Sequence, residues 1–241
     1  REISYDNPNM VGFPSISKPK YLKILMDEGY TVIIIDQVTP PPTPTREVTG
    51  IYSSGTYIEG ISTPDSNNIM SIYIEEEQQI NNTKSLLMCI GMTVIDLSTG
   101  KSIIHEVYSS DIDDKYALDE GVRFINCYCP KEIIIHKKEN NSQTKNKMSL
   151  QKIITYLELE NKSLTYLKKL NKDIYKLTYQ NDHLKKSFPD TGLITPIEYT
   201  DFENRPYALI ILIIILNFSY EHNNHIINNL QKPEIFYDNK H

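Results

Sequence analysis

The chain has 241 residues, of which 39% are hydrophobic and 23% are charged, and these proportions predict a folded protein rather than a disordered one. Its length suits one large domain or two small ones. The formal net charge of −6 argues against a protein that is basic over its whole surface and coats nucleic acid. A local basic patch is compatible with this charge. Three cysteines cannot all pair, which indicates a reducing compartment.

The first segment is predicted to fold as a helix, a strand, a proline loop and a second strand. The helix begins at about Ser17, and Gly29 suits the position just after its end. Thr31–Asp36 and Glu47–Ser53 are the predicted strands. Pro40–Pro44 between them is predicted to be a stiff extended linker, because proline cannot donate to a sheet. Since the pattern at Arg1 is that of the middle of an element and no starting Met is present, we expect a fragment.

The stretch from Ser85 to Ile135 is the predicted core. Leu86–Leu97 and Ser102–Tyr108 are strands joined by a turn at Gly100, so the pair predicts a hairpin. Asp114–Asn126 has apolar residues at helical spacing, and the apolar strand Glu132–His136 follows it. A helix that returns the chain to a buried strand indicates a parallel partner, a right-handed crossover and the α/β class.

The segments around this core are less regular. Ile69–Ile74 alternates as a strand does, and the polar residues Glu75–Thr83 are predicted to form an exposed loop. Lys137–Lys147 is a low-complexity polar stretch, which predicts a mobile insertion.

Two helices and a strand are predicted before a long final helix. Leu150–Leu159 is a helix, Tyr175–Tyr179 a strand, and Asn181–Phe188 a short helix. The final helix runs from Tyr207 to about Leu230; it is first apolar all round and then amphipathic. Its apolar part is too short for a membrane span and is predicted to be buried.

Asp96 raises the question of metal-dependent nuclease chemistry. An aspartate near the end of a buried strand can hold a divalent cation when further carboxylates converge on it. The alternative, which we favour, is that Asp96 accepts hydrogen bonds from the turn that follows it. The carboxylates that could accompany it as ligands are Glu106, Asp111, Asp113 and Asp119.

Other candidate sites are weaker. His222 and His225 could ligate zinc from one helix face, but no matching Cys/His pair lies near them, and a solvated face is the simpler interpretation. Cys127 and Cys129 have only one residue between them and are interpreted as packing residues. The aspartates between positions 111 and 114 fail the calcium-loop pattern, and the sequence contains no GxxxxGK[ST] phosphate loop. We therefore predict no catalytic residue and no metal site.

Several sequence blocks along the chain form a recognisable series. They are Val11–Pro14, Tyr21–Leu25, Gly29–Val32, Ile35–Gln37, Arg46–Thr49, Ile51–Thr56, Gly91–Gly100, Glu120–Ile135, Tyr179–Asn181, Leu184, Phe188 and Tyr220–Asn223. Their order and spacing resemble the N-terminal half of the MutS family of DNA mismatch-recognition ATPases. The resemblance is greatest to the divergent MutS proteins of large DNA viruses and octocoral mitochondria.

The resemblance implies a domain plan. Residues 1–62 would be the C-terminal part of a mixed α/β mismatch-binding domain, and residues 63–84 a linker with an edge strand. Residues 85–204 would form a ribonuclease-H-like connector domain, and residues 205–241 a helix that leads to a helical core. The family's mismatch wedge and ATPase phosphate loop have no counterpart in this sequence.

The resemblance also implies a function, in which the chain completes a DNA-reading domain and couples it to an ATPase. On that view the chain is not itself an enzyme, and ATP and Mg belong to the full-length protein. Double-stranded DNA with mismatches would be the partner, and the full-length protein would be a dimer. Its location would be intracellular, in the viral or host cytoplasm, the nucleus or an organelle. Arg46 is the one residue we link to DNA, whereas Gly50 and Ser54 depart from the family pattern. A ribonuclease-H-like nuclease centred on Asp96 is the alternative.

Overall fold

The computed structural model describes residues 11–57, 67–78, 86–139, 147–222 and 230–236. The chain divides into two compact units, Arg1–Ser54 and Gly55–His241, called here the first and the second unit. Each is considered by itself.

The first unit contains a helix and a two-stranded antiparallel sheet. A short 3-10 turn, Ser15–Ser17, leads into α1 (Lys18–Asp27), and the strands are β1 (Val32–Gln37) and β2 (Arg46–Tyr52). Gly29 has a φ of +83°, which suits glycine and ends the helix as predicted.

The prolines between β1 and β2 form a turn, so the predicted extended linker is wrong. The Val38 amide donates to the Thr45 carbonyl at 3.0 Å, which closes the two strands into a hairpin. The Thr39 hydroxyl also donates to the Thr43 carbonyl at 3.0 Å. A proline φ near −65° is compatible with a turn as well as with an extended chain. The two hydrogen bonds stabilise the turn.

The second unit is built on a six-stranded mixed sheet with the order β7-β6-β3-β4-β5-β8. Its strands are β3 (Asn68–Gln78), β4 (Leu86–Asp96), β5 (Ser102–Tyr108), β6 (Glu132–Lys137), β7 (Ser163–Tyr166) and β8 (Glu234–Ile235). β3, β4 and β5 form an antiparallel meander, within which β4 and β5 are the predicted hairpin. After α2 (Tyr116–Tyr128) the chain returns as β6, which runs parallel to β3. The parallel partner and the α/β class are therefore confirmed.

Helices cover both faces of this sheet. α2 and α3 (Leu150–Tyr156) pack on one face, and α4 (Leu177–Ser187), α5 (Pro196–Tyr199) and α6 (Pro206–His222) pack on the other. The alternation of β3 explains how one strand serves two cores, since Ile69 and Tyr73 contact the α6 side while Ile72 and Ile74 contact the α2 side.

The strand β3 extends further than the sequence indicated, and it lies inside the sheet rather than at an edge. It continues to Gln78 and pairs on both sides, with β4 and with β6. Glu75 and Glu76, predicted in an exposed loop, are buried in it. They are tolerated because Lys138 and Lys137 lie 2.6 Å and 2.7 Å from their carboxylates.

Two predictions near the polar insertion and the last helix fall partly on undescribed residues. Lys137 ends β6 and Lys138 pairs with Glu75, so neither belongs to a mobile insertion. Residues 79–85 and 140–146 lie outside the described part of the chain. The same holds for residues 223–229, and therefore for His225 and for the predicted extension of α6 toward residue 230.

The predicted strand Tyr175–Tyr179 is wrong, and β7 was not foreseen. A 3-10 turn (Lys172–Tyr175) and the start of α4 occupy that stretch. Alternating tyrosine and leucine imitate a strand there, but Gln180 is buried and its side-chain amide donates to the Ile174 carbonyl at 2.8 Å. That hydrogen bond ties the turn to the helix.

Candidate functional site

The helix α6 lies directly on the sheet of the second unit. Tyr207 to Leu216 are all buried, and the helix contacts β3, β4, β5 and α4. A helix that is apolar on every side must be covered on every side, because no face of it is suited to water. The predicted buried helix is thus confirmed. The residues described next hold this helix in position on the sheet.

Gly91 allows the backbone of α6 to approach β4 closely. A Cβ atom built at Gly91 would lie 2.6 Å from the carbonyl carbon and oxygen of Tyr207 and 3.0 Å from the Ala208 nitrogen. Any side chain there would meet helix backbone, which cannot rotate away. Sequence reasoning gave Gly91 no role of its own, although an isolated glycine inside an apolar strand is a recognised signal of close backbone approach.

Polar side chains of the sheet bind the first turns of α6. The Glu106 carboxylate accepts a hydrogen bond from the Ala208 amide at 2.8 Å, which satisfies one N-terminal donor that the helix cannot. The Tyr207 hydroxyl donates to Glu77 on β3. The Ser71 hydroxyl donates to the Ile211 carbonyl at 3.3 Å. Side chains of β3 and β5, the two strands on either side of β4, therefore fix where α6 begins.

Burial governs the ionisation of this contact region. Burial raises the pKa of the Glu106 carboxyl, and hydrogen bonds from Tyr108, Ala208 and Tyr207 only partly oppose it. Burial also raises the pKa of Tyr207, assisted by its hydrogen bond to Glu77. Burial raises the pKa of Cys89 to about 12, so this thiol stays protonated and is a poor nucleophile. The described residues of this region therefore hold a helix in place, and the thiol among them is not activated.

Asp96 serves the turn that follows β4, as the favoured interpretation held. One carboxylate oxygen accepts from the Ser98 amide at 3.0 Å and the other from the Thr99 hydroxyl at 2.8 Å. The first oxygen also accepts from the Asn67 amide at 3.3 Å. Burial alone would raise the pKa of Asp96, but these donors outweigh it and lower the pKa overall.

The carboxylates proposed as companions of Asp96 serve other contacts. Glu106 binds α6, Asp119 accepts from the Tyr156 hydroxyl at 2.6 Å, and Asp113 accepts from the Lys115 amide at 3.1 Å. In the described ranges, no group of three or more His, Cys, Asp or Glu side chains is placed to hold a metal ion. The nuclease alternative therefore has no support from the geometry.

The cysteines at the end of α2 differ from their interpretation as packing residues. Cys127, in the last turn of the helix, and Cys129, just after it, are both exposed. Cys129 has a φ of +42°, and a left-handed residue at this position lets the chain turn toward β6.

A buried charged group on the opposite face of the sheet was not foreseen. His105 on β5 and Glu120 on α2 are both buried, with 3.5 Å between the imidazole Nε2 and a carboxylate oxygen. Arg123 reaches the same carboxylate at 2.8 Å. The helical spacing of Glu120 among apolar residues was a signal that its side chain faces inward.

Arg46 lies at the start of β2 in the first unit, opposite Gln37 and exposed. Nearby on the same hairpin, the Thr49 hydroxyl donates to Asp36 at 2.6 Å and Lys18 lies 3.6 Å from that carboxylate. The hydrogen bond from Thr49 lowers the pKa of Asp36, and Lys18 lowers it further. Arg46 is thus accessible to a ligand. Asp36, on the adjacent strand, is occupied by Thr49 and Lys18.

The fold and its contacts define a two-unit α/β protein. A unit with a β-hairpin is followed by a unit with a mixed sheet, on which the buried helix α6 packs. Residues 2–60 match the family model described as MutS domain I. The chain is 34% identical over 252 residues to a mutS homolog of Acanthamoeba polyphaga mimivirus, covering 97% of this chain and 22% of that protein. It belongs to the MutS family.

Two further relatives support the resemblance drawn from the sequence blocks. A mitochondrial DNA mismatch repair protein mutS homolog of Sarcophyton glaucum is 28% identical over 254 residues, covering 94% of this chain and 24% of that protein. DNA mismatch repair protein MutS of Clostridium tetani is 25% identical over 209 residues, covering 84% and 19%. The chain thus spans about a fifth to a quarter of the length of these relatives. None of the helices described here has the length and apolarity needed to cross a bilayer.

Proposed function

We propose that this chain supplies the mismatch-reading and coupling part of a MutS-like DNA mismatch repair protein. The observation that carries the proposal is the match of residues 2–60 to MutS domain I, within an alignment that continues across the second unit. The relatives' names associate that family with mismatch repair.

The second unit is proposed to be a ribonuclease-H-like connector. Three antiparallel strands followed by a helix and parallel strands, in the order β5-β4-β3-β6-β7, support this assignment. The arrangement of Asp96 within a turn supports a connector without nuclease chemistry.

The proposed mechanism begins with the shape and flexibility of DNA. A mismatched pair stacks weakly and is cheaper to kink, so a protein that bends the duplex binds it more tightly than a fully paired one. Arg46 would bind a backbone phosphate, which positions the protein without reading sequence. α6, held by Glu106, Glu77 and the Gly91 contact, would transmit the bound state toward the ATPase of the full-length protein.

ATP and Mg are proposed as cofactors of the full-length protein, which would act as a dimer on mismatched duplex DNA. Relatives four to five times longer than this chain have room for an ATPase domain elsewhere. ATP hydrolysis is therefore assigned to the full-length protein and not to the residues described here.

The test compares the full-length protein on a duplex with one mismatch and on the same duplex fully paired, by fluorescence anisotropy. We expect tighter binding to the mismatched duplex. Arg46→Gln should weaken binding to both duplexes by a similar factor, because a phosphate contact carries no sequence information. Lys23→Gln, an exposed charge removed from α1 in the same unit, is the control. Equal affinity of the wild-type protein for the two duplexes would refute the proposed function.

A further inference from the structure

A cleft lies between the last turn of α4 and the C-terminal half of α6. Its lining residues are His183, Lys186, Ser187, Leu216, Asn217 and Tyr220, and its cavity volume is about 30 Å³. This volume is far below the roughly 300–1,000 Å³ typical of sites for drug-sized ligands, so the cleft suits a small chemical group rather than a whole nucleotide.

The lining of the cleft is suited to an anion. Lys186 supplies a cation, and Ser187, Asn217 and Tyr220 supply hydroxyl and amide donors. Among the described residues that line it, none is acidic. A phosphate group binds where a positive charge and several hydrogen-bond donors lie together, and the lining of this cleft offers one cation and three side chains with donors.

Lys186 is accessible and is held over an aromatic ring. Its Nζ atom lies 5.9 Å from the centroid of the Tyr220 ring, which favours this position without using the ammonium hydrogens. Within the described ranges, no carboxylate forms an ion pair with Lys186. Its three donors remain for a ligand.

The second basic side chain of the cleft contributes hydrogen bonding rather than charge. Burial lowers the pKa of His183, and nearby Lys186 lowers it further, whereas Asp182 acts in the opposite direction. The imidazole also lies against Tyr179, with ring centroids 4.2 Å apart, which restricts its orientation. Lys186 is therefore the cation of the cleft at neutral pH.

The segment that leads into and forms α4 is basic, in contrast to the chain as a whole. Residues 162–186 contain seven lysines and two aspartates, a local charge of +5 within a chain of net charge −6. Lys176 is already paired with Asp173 at 2.7 Å, but Lys185 and Lys186 at the helix end are exposed. Such a concentration attracts polyanions in particular and favours a nucleic-acid backbone over a single free anion.

We propose that the cleft between α4 and α6 binds one phosphate of a DNA backbone through Lys186, with Ser187, Asn217 and Tyr220 as hydrogen-bond donors. This gives the second unit a DNA contact of its own, separate from the hairpin of the first unit. The proposal rests on the proposed function for the identity of the polyanion as DNA.

The test uses the full-length protein with Lys186→Gln, and Lys152→Gln as the matched control. Both changes remove one exposed positive charge from the second unit, but Lys152 is on α3, which covers the opposite face of the sheet. Dissociation constants for paired and mismatched duplexes are measured between about 50 and 200 mM salt. Thermal unfolding of each variant verifies that it is folded.

Lys186→Gln should lower the slope of log affinity against log salt by about 0.9, the value for one lost phosphate contact. The weakening of binding should therefore be roughly 3.5-fold greater at the low-salt end than at the high-salt end. It should be the same for both duplexes, and Lys152→Gln should leave the slope unchanged.

Equal salt slopes for the two variants would overturn the phosphate site while leaving any mismatch preference intact. Conversely, a protein that does not prefer mismatched DNA would refute the proposed function, and the difference between the two lysine variants would still test the cleft. If Lys186→Gln instead weakened binding of an acidic peptide and not of DNA, the assignment to DNA would be wrong.

Discussion

The close approach of α6 to β4 can be tested by replacing Gly91 with alanine. The new methyl carbon would lie 2.6 Å from the Tyr207 carbonyl carbon, whereas carbon atoms in contact prefer about 3.5–4.0 Å. The helix would have to move by about 1 Å or more, and its hydrogen bonds to Glu106 and Glu77 would lengthen.

Overpacking of this kind costs about 1–3 kcal/mol. Part of that cost is offset, because alanine restricts the unfolded chain and stabilises by about 0.4–1 kcal/mol where its conformation is allowed. We therefore expect Gly91→Ala to lower the free energy of unfolding by about 1–2 kcal/mol. Urea unfolding followed by circular dichroism measures it, since the chain contains no tryptophan.

Gly12→Ala is the control, because a Cβ atom there would meet nothing within 4 Å. It should unfold at the same urea concentration as the wild type or at a slightly higher one. If Gly91→Ala behaved in the same way, the helix would not rest on the strand backbone, and the reasoning about α6 would be refuted.

Three further substitutions test the charges described above. The pKa of Glu106 is raised in the folded state above its ordinary value of 4.5, so its contribution to stability falls as the pH rises above 4.5. Glu106→Gln lacks this titration and should therefore lose less stability than the wild type between pH 4.5 and neutrality, as measured by urea unfolding. The lowered pKa of Asp96 gives the opposite sign: Asp96→Asn should be less stable than the wild type at neutral pH, and the difference should shrink as acid protonates Asp96, with an unchanged difference at low pH contradicting this. Glu76→Ala leaves the largely covered Lys137 ammonium and the Met148 amide without their shared acceptor and should cost about 3–5 kcal/mol. A second change, Lys137→Met, should restore part of this loss, and an equal loss in the double variant would count against the ion pair.

Hydrophobic patterning was sufficient to predict the centre of the second unit. Leu86–Asp96, Ser102–Tyr108 and the α2 crossover to β6 occur where the apolar runs and the helical spacing placed them. In these segments every local signal agrees with the global fold, because the residues are buried on both faces of the sheet.

The errors arose where a partner distant in sequence determines the structure. Glu75 and Glu76 read as a loop because isolated carboxylates are costly to bury, and the lysines that pair with them follow about 60 residues later. β7 was missed because Ser163–Tyr166 is short and half-buried, so its pattern is weak. Tertiary pairing of this kind cannot be read from a local window.

The candidate site was predictable only in outline. The burial of α6 followed from its composition, but the roles of Gly91 and Glu106 depend on a helix that begins about 100 residues further along the chain. For Asp96 the local turn chemistry was enough, since the donors at Ser98 and Thr99 are its neighbours. Arg46 remains a prediction, as does its contact with DNA.

Coupling through α6 is the central claim, and nucleotide exchange in the full-length protein measures it most directly. We predict that mismatched duplex accelerates exchange in the wild type and in Gly12→Ala. In Gly91→Ala the acceleration should be reduced while the preference for mismatched DNA is retained. Undiminished acceleration in a Gly91→Ala protein whose stability has fallen would contradict the claim.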